Sequence, residues 1–269
     1  MPCYSPTRCR QFALGILMLG LIGPAFAQQK NGPSCPSRPI VLGLYEFGRF
    51  YHAGAGLDKD IAEQMAARSG CKFELRVMTR GRIWQDLQGG RVDMTLSASA
   101  TPERTLFAWA TPYIWVKNVM ILNKDVDTRI RSSSDFIAAP NLRLGVIRGH
   151  FQGKAYAGFI SQLRNLDRVE EIDDTERLYA MFKAGRFQAM LGSQLVYSNY
   201  FKDGEVRIED WEPAGPKGAA NLLISKKNFG QEEAKRWADL MKAMASDGSM
   251  QRMLSKYMDP ADAAKMLFP

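Results

Sequence analysis

Residues 89–114 read GGRVDMTLSASATPERTLFAWATPYI. The stretch parses as strand, short loop, helix. Val92–Ser97 is a short, mostly apolar strand, and Gly89-Gly90 ends the segment before it. Thr101 is a good helix N-cap and Pro102 suits the first helical position, so the spacing predicts a helix over Thr101–Ala108. Two further strand–helix pairs precede it. PIVLGLY (39–45) leads to a helix over Leu57–Arg68 that stops near Gly70, and KFELRVM (72–78) leads to IWQDLQ (83–88). Three strands alternating with helices predict an open, doubly wound parallel sheet. Tyr113–Leu122 follows as a long, apolar, extended run.

The polar stretch Asn123–Ser134 interrupts this rhythm, which then restarts. Strands are expected at LRLGVI (142–147), VEEI (169–172) and QAMLG (188–192), with helices over Gly153–Arg164, Asp174–Ala184 and Ser193–Phe201. NLLISKK (221–227) reads as a late strand. Trp237, Leu240, Met241 and Met244, then Met250, Met253, Leu254 and Tyr257, repeat at helical spacing and read as core stripes. The fold class is therefore α/β, with two units in series and a helical tail. Open sheets take ligands at the carboxyl ends of their strands, so residues just after strands are the candidates.

Composition excludes several classes. The 269 residues are 46% hydrophobic and 24% charged, an ordinary globular balance. Lys+Arg number 36 against 28 Asp+Glu, for a formal charge of +8. No basic run suggests a nucleic-acid arm. Arg8 and Arg10, the apolar run Phe12–Ile22, Pro24 and Ala25-Phe26-Ala27 read as a cleavable secretory leader over residues 1–27. The run is too short to span a bilayer, which needs about 20 residues. A soluble, periplasmic mature protein is expected. Cys3 and Cys9 leave with the leader. Cys35 and Cys71 remain, each just before an expected strand, and a disulfide between them is expected in an oxidising compartment.

Arg104 falls in the first turn of its helix, where a cation is poorly placed for the helix dipole. A bound anion would compensate. The helix N-terminus, the hydroxyls of Ser97, Ser99 and Thr101, and the planar guanidinium fork would together form a carboxylate receptor. The plainer alternative is a surface Arg104 paired with Glu103 or Asp93. In the loop YEFGRFYHAGAG (45–56), Tyr45 lies nearest the strand end and could wall a ligand, and Glu46 could supply an acid. Trp84 and Trp237 read as core, and Arg82 as solvated.

Four stretches resemble, in order and spacing, the family 3 bacterial periplasmic solute-binding proteins, the receptors of amino-acid-type ABC importers. They are GLDKDIAEQMA (56–66), LQGGRVDMTLSASATPERTLFAWATPY (87–113), LGVIRGHFQG (144–153) and YAMFKAGRFQAMLG (179–192). The resemblance implies a two-lobe, type II binding-protein fold joined by two hinge strands. Lobe one would comprise residues 28–120 and 221–269, and lobe two residues 121–220. It implies that Arg104 binds a ligand carboxylate with help from Ser99, while Gly149, His150, Phe151 and Ser193 approach from lobe two. The ligand expected from the resemblance is a carboxylate-bearing solute, an amino acid or a related organic acid; Ser193 stands where such receptors commonly carry an Asp for a ligand ammonium, so an α-ammonium group is not required of it. The partners implied are that small molecule and an inner-membrane ABC permease, with a monomeric chain.

Enzyme signatures are thin. There is no G-x-S-x-G elbow, no P-loop, no dinucleotide fingerprint and no cluster with zinc spacing, so no cofactor or metal is expected. Glu170-Glu171 and Asp173-Asp174 read as solvated strand ends and a helix cap. The alternative function is an enzyme on the same scaffold, a cyclohexadienyl or arogenate dehydratase acting on a cyclic carboxylate. It would need a general acid opposite Arg104, with Glu46 as the candidate.

Overall fold

A computed structural model describes residues 32–215 and 217–268. The leader expected over residues 1–27 lies outside the described residues. Two five-stranded sheets form the framework. In the first, β1 (Ile40–Leu44), β2 (Phe73–Val77) and β3 (Met94–Ala98) run parallel, with β1 between the other two. The intervening helices are α1 (Leu57–Ser69), α2 (Arg80–Gly89) and, after β3, α3 (Pro102–Phe107). Every residue of β1 and β3 is buried, as parallel strands covered on both faces require. Edge strand β2 is largely exposed.

The apolar run at Tyr113–Leu122 is two strands rather than one. β4 (Ala108–Val116) closes the first sheet, and β5 (Val119–Leu122) belongs to the second. Lys117 and Asn118 carry the chain across between them. Continuous hydrophobicity marked both strands as buried, but it carried no sign of the crossover.

The second sheet repeats the pattern. Helix α4 (Ser133–Ala138) precedes β6 (Leu144–Ile147), α5 (Lys154–Asn165), β7 (Val169–Ile172), α6 (Thr175–Lys183), β8 (Ala189–Gly192), α7 (Gln194–Tyr197) and β9 (Arg207–Glu209). β6 lies parallel to β7 and β8, and β5 lies antiparallel to β8 and β9. Helix α4 stands in and beyond the polar stretch: Ser132 caps it, and Phe136 is its buried residue. The helix expected over Ser193–Phe201 is limited to α7.

Strand β10 (Gly218–Ser225) returns to the first sheet and lies antiparallel between β3 and β4. Helices α8 (Gln231–Ser246), α9 (Ser249–Leu254) and α10 (Pro260–Met266) then cover that sheet. The tail is therefore built into the first sheet rather than appended to the second. Trp237, Leu240, Met241, Met244, Met250, Met253 and Leu254 are buried in one core with Ile40, Leu42, Ile61 and Met65. Among the described residues, no helix is long and apolar enough to cross a membrane.

Two devices tie the N-terminal segment to this sheet. Arg38 reaches the buried Asp93 in a bidentate pair at 2.5 and 2.8 Å. Burial alone would raise that carboxyl, but hydrogen bonds from Arg38, the Val41 N–H and Asn228 hold it below its ordinary range. Cys35 and Cys71 form a disulfide across a Cα–Cα distance of 5.1 Å. Opening a loop with a sequence separation of 36 residues costs about 4 kcal/mol by loop entropy. The Cys35→Ala/Cys71→Ala double variant should lose stability of that order in urea unfolding while keeping ligand affinity; unchanged stability would contradict the role of the bridge.

Candidate functional site

The carboxyl ends of β3, β6 and β8 face one another across the crossing segments. A cavity of about 440 Å³ lies there. Its walls come from Ser97–Ala100 at the end of β3 and just past it, from His150–Tyr156 after β6, from Ser193 after β8, and from both crossings at Trp115–Asn118 and Lys217–Asn221.

Ser97 is held by chemistry inherited from three elements. Its φ of 51° is left-handed, an uncommon conformation for a residue with a Cβ. Its Oγ lies 2.6 Å from Asp58 Oδ1 and 3.1 Å from Tyr113 Oη, and its N–H donates to that same Oη. Burial pushes the Asp58 carboxyl up to about 7, with the Ser97 hydrogen bond and the Arg80 charge opposing. Asp58 is thus sealed behind Ser97 and is not a free anion in the cleft.

Arg104 pairs with neither Glu103 nor Asp93. Its Nη1 donates to the Ser99 carbonyl at 3.0 Å, and its Nη2 donates to the Gly149 carbonyl of lobe two at 2.7 Å. Its guanidinium carbon stands 3.9 Å from the Trp84 ring centroid. Ser99 and His150 line the cavity, so the guanidinium sits at the cavity's edge, behind its wall. Desolvation and then the neighbouring Arg80 charge bring Arg104 down to about 10. The expected help from the helix N-terminus is small. α3 has only six residues, Pro102 has no N–H, and the Arg104 N–H already meets Thr101 Oγ1 at 3.4 Å.

Arg80 is the residue that sequence reading missed. It is buried, with its guanidinium carbon 3.8 Å above the Tyr45 ring and 4.5 Å from Trp84. Its Nη2 donates to the Ser97 carbonyl at 2.7 Å, while Nε and Nη1 have no hydrogen-bond partner. Its position just past β2 was the available signal. Trp84 is accordingly not a simple core residue: it meets two guanidiniums, and its Nε1 donates to the Gly149 carbonyl at 3.2 Å. Such cation–π contacts contribute about 0.5–2 kcal/mol each. Trp237 is fully buried, and Arg82 is solvated and paired with Asp86.

On lobe two, His150 and Phe151 line the cavity. Burial, then the Arg80 and Arg104 charges, push the His150 imidazole down to about 3, so it is neutral at ordinary pH. Its Nδ1 and the buried Ser193 Oγ have no hydrogen-bond partner. Two expected contacts are placed elsewhere. Tyr45 is buried beneath Arg80 and stacked on Phe47, away from the cavity. Glu46 turns aside to the Ala53 N–H at 3.1 Å and to His52 at 3.2 Å, because its own loop folds back there.

A family model for bacterial extracellular solute-binding proteins, family 3, matches residues 46–260. The chain belongs to that family. Its fold is also that of solved relatives. A mutant of the arginine-binding protein ArgBP from T. maritima is 18% identical, with a TM-score of 0.69 over 81% of this chain and 94% of the other. The ancestral amino acid-binding protein AncCDT-1, a precursor of cyclohexadienyl dehydratase, is 22% identical, with a TM-score of 0.67 over 81% and 95%. AbpA, an amino acid ABC transporter substrate-binding protein from Streptococcus pneumoniae bound to L-arginine, is 19% identical, with a TM-score of 0.65 over 84% and 94%. No match was found among curated protein sequences.

In this solute-binding protein the two lobes meet along a seam beside the cavity. The Arg49 N–H donates to the Leu195 carbonyl at 2.7 Å, and Thr175 Oγ1 donates to the Glu46 carbonyl at 2.7 Å. Gly48 lies in this seam with φ of +56°, and a Cβ there would meet Val196 Cα at 2.6 Å. Gly48→Ala should hold the lobes apart and raise the radius of gyration in X-ray scattering. A radius equal to wild type would contradict the seam.

Proposed function

We propose that this chain is a periplasmic receptor that captures a small carboxylate-bearing solute between its lobes and presents it to an inner-membrane ABC permease. The observation that carries the reading is the Arg104 guanidinium. It is supported on one face by Trp84, fixed to lobe one through the Ser99 carbonyl, and bonded to lobe two through the Gly149 carbonyl. A carboxylate is a stronger acceptor than a carbonyl, and hydrogen bonds to charged groups contribute about 1.5–3 kcal/mol. A ligand carboxylate reaching this edge of the cavity would therefore take the Nη2 position from Gly149. Ser97 and Ser99 line the wall beside it, with Phe151, His150 and Ser193 opposite.

The mechanism is a shift between open and closed arrangements. The solute gains its full set of contacts only when both lobes engage it, so binding favours closure by that difference in affinity. A permease would then read the closed shape. The membership of an extracellular solute-binding family supports the periplasmic setting. A dehydratase would need a proton donor facing the Arg104 edge. Glu46, the candidate for that role, is engaged outside the cavity, which favours binding over catalysis.

Thermal unfolding in the presence of carboxylates tests this reading. A ligand at about 100 times its Kd adds about 2.7 kcal/mol, a rise of roughly 5–10 °C for a domain of this size. Arg104→Ala should keep the fold and lose that rise. A rise equal to wild type would remove Arg104 from the site, and turnover of the bound carboxylate would favour the enzyme.

A further inference from the structure

We propose that the cleft selects an organic acid with an apolar body and no α-ammonium group, over the amino acid of the same skeleton. This rests on the reading of the cleft as a carboxylate receptor and names the class of solute.

The charge around the cleft is one-sided. Arg104 stands at the cavity edge, and behind it Arg80 is 3% exposed with Nε and Nη1 unpaired. No salt bridge neutralises either guanidinium among the described residues. Lys117, Lys154 and Lys217 lie on the cavity wall, and Glu212 is the one carboxylate among the lining residues. Lys117 is itself paired with Asp210 at 2.5 Å. The two other acids near the cleft cannot serve. Asp58 is closed off behind the Ser97 hydroxyl at 2.6 Å, and Glu46 is held by the Ala53 N–H and His52.

An ammonium beside Arg104 would therefore meet like charge at short range, with neither Asp58 nor Glu46 free to balance it; Glu212, the lining carboxylate, stands by Ala155 and Tyr156 and is not among the charges that act on Arg104. Burying a cation without an anionic partner is strongly unfavourable. Three unpaired polar atoms of the lobe-two wall, Ser193 Oγ, His150 Nδ1 and Tyr156 Oη, are neutral. They can hydrogen-bond a carboxylate, hydroxyl or carbonyl group but cannot balance a positive charge. Asn118, Gln152 and Asn221 add neutral amides, and much of the remaining wall is aromatic: Phe47, Phe50, Trp115, Phe151, Tyr156 and Phe268. Rings so placed suit an aromatic or branched hydrocarbon body.

Matched pairs that differ only in the ammonium decide the matter. Calorimetric titration of the full mature chain would use 3-phenylpropanoate against L-phenylalanine, 4-methylpentanoate against L-leucine, and glutarate against L-glutamate, with L-arginine and 2-phenylethylamine as cations. The deaminated acid of at least one pair should bind tenfold or more tighter than its amino acid, and the two cations should not bind. An amino acid binding as tightly as its deaminated partner, or L-arginine binding at all, would overturn this inference and leave the carboxylate receptor standing. Failure of every carboxylate, or binding of 2-phenylethylamine alone, would overturn both. Ser193→Asp, which places an anion on the same wall, should move the ratio at least tenfold toward the amino acid; a folded variant with the wild-type ratio would also count against the inference.

Discussion

The cleft is organised around one constraint: a guanidinium taken out of bulk water must be satisfied on every side. Arg104 meets it with the Trp84 face, the Ser99 carbonyl and the Gly149 carbonyl. The first two belong to lobe one and the third to lobe two, so one side chain links the wall of the site to the position of the lobes. None of these partners is an anion, and desolvation weakens the hold on the proton. Arg80, which also stands against the Trp84 indole, sharpens the imbalance. The region is preorganised for negative charge, and a solute that supplies it would bear on lobe closure through the same contact.

Much of the fold was legible from period and punctuation. The stretch at 89–114 declared strand, loop, capped helix and cation in order, and β3, Thr101 and α3 stand where it placed them. The methionine stripes near the C-terminus face the core because their spacing leaves no other buried face for α8 and α9. The hydrophobic pattern alone did not show the crossover at Lys117 and Asn118, because strands in two different sheets can share one apolar run; the lobe boundary at 120/121 came only from the family resemblance. The place of β10 between β3 and β4 was hidden too, since antiparallel insertion is a long-range pairing with no local signal.

The site was read less completely, for reasons of side-chain direction. Ser97, Ser99, His150, Phe151 and Ser193 line the cavity, whereas Thr101 spends its hydroxyl on a cap and Tyr45 is buried beneath Arg80. Glu46 lies next to Tyr45 in sequence but turns the other way, since its loop folds back through Gly48 and Gly56 at positive φ. Trp84 read as core and Arg80 went unread, because the short helix gave no reason to expect a buried cation. What reveals them is the juxtaposition of an indole with two guanidiniums, which is a property of three dimensions only.

The most direct measurement is a crystal structure of the protein with the carboxylate that most raises its melting temperature. The account predicts a carboxylate oxygen within hydrogen-bond distance of Arg104 Nη2, in the place now held by the Gly149 carbonyl, with the solute's apolar body against the aromatic wall. A structure in which Arg104 keeps its bond to Gly149, while the acid group of the solute lies elsewhere in the cleft, would contradict it.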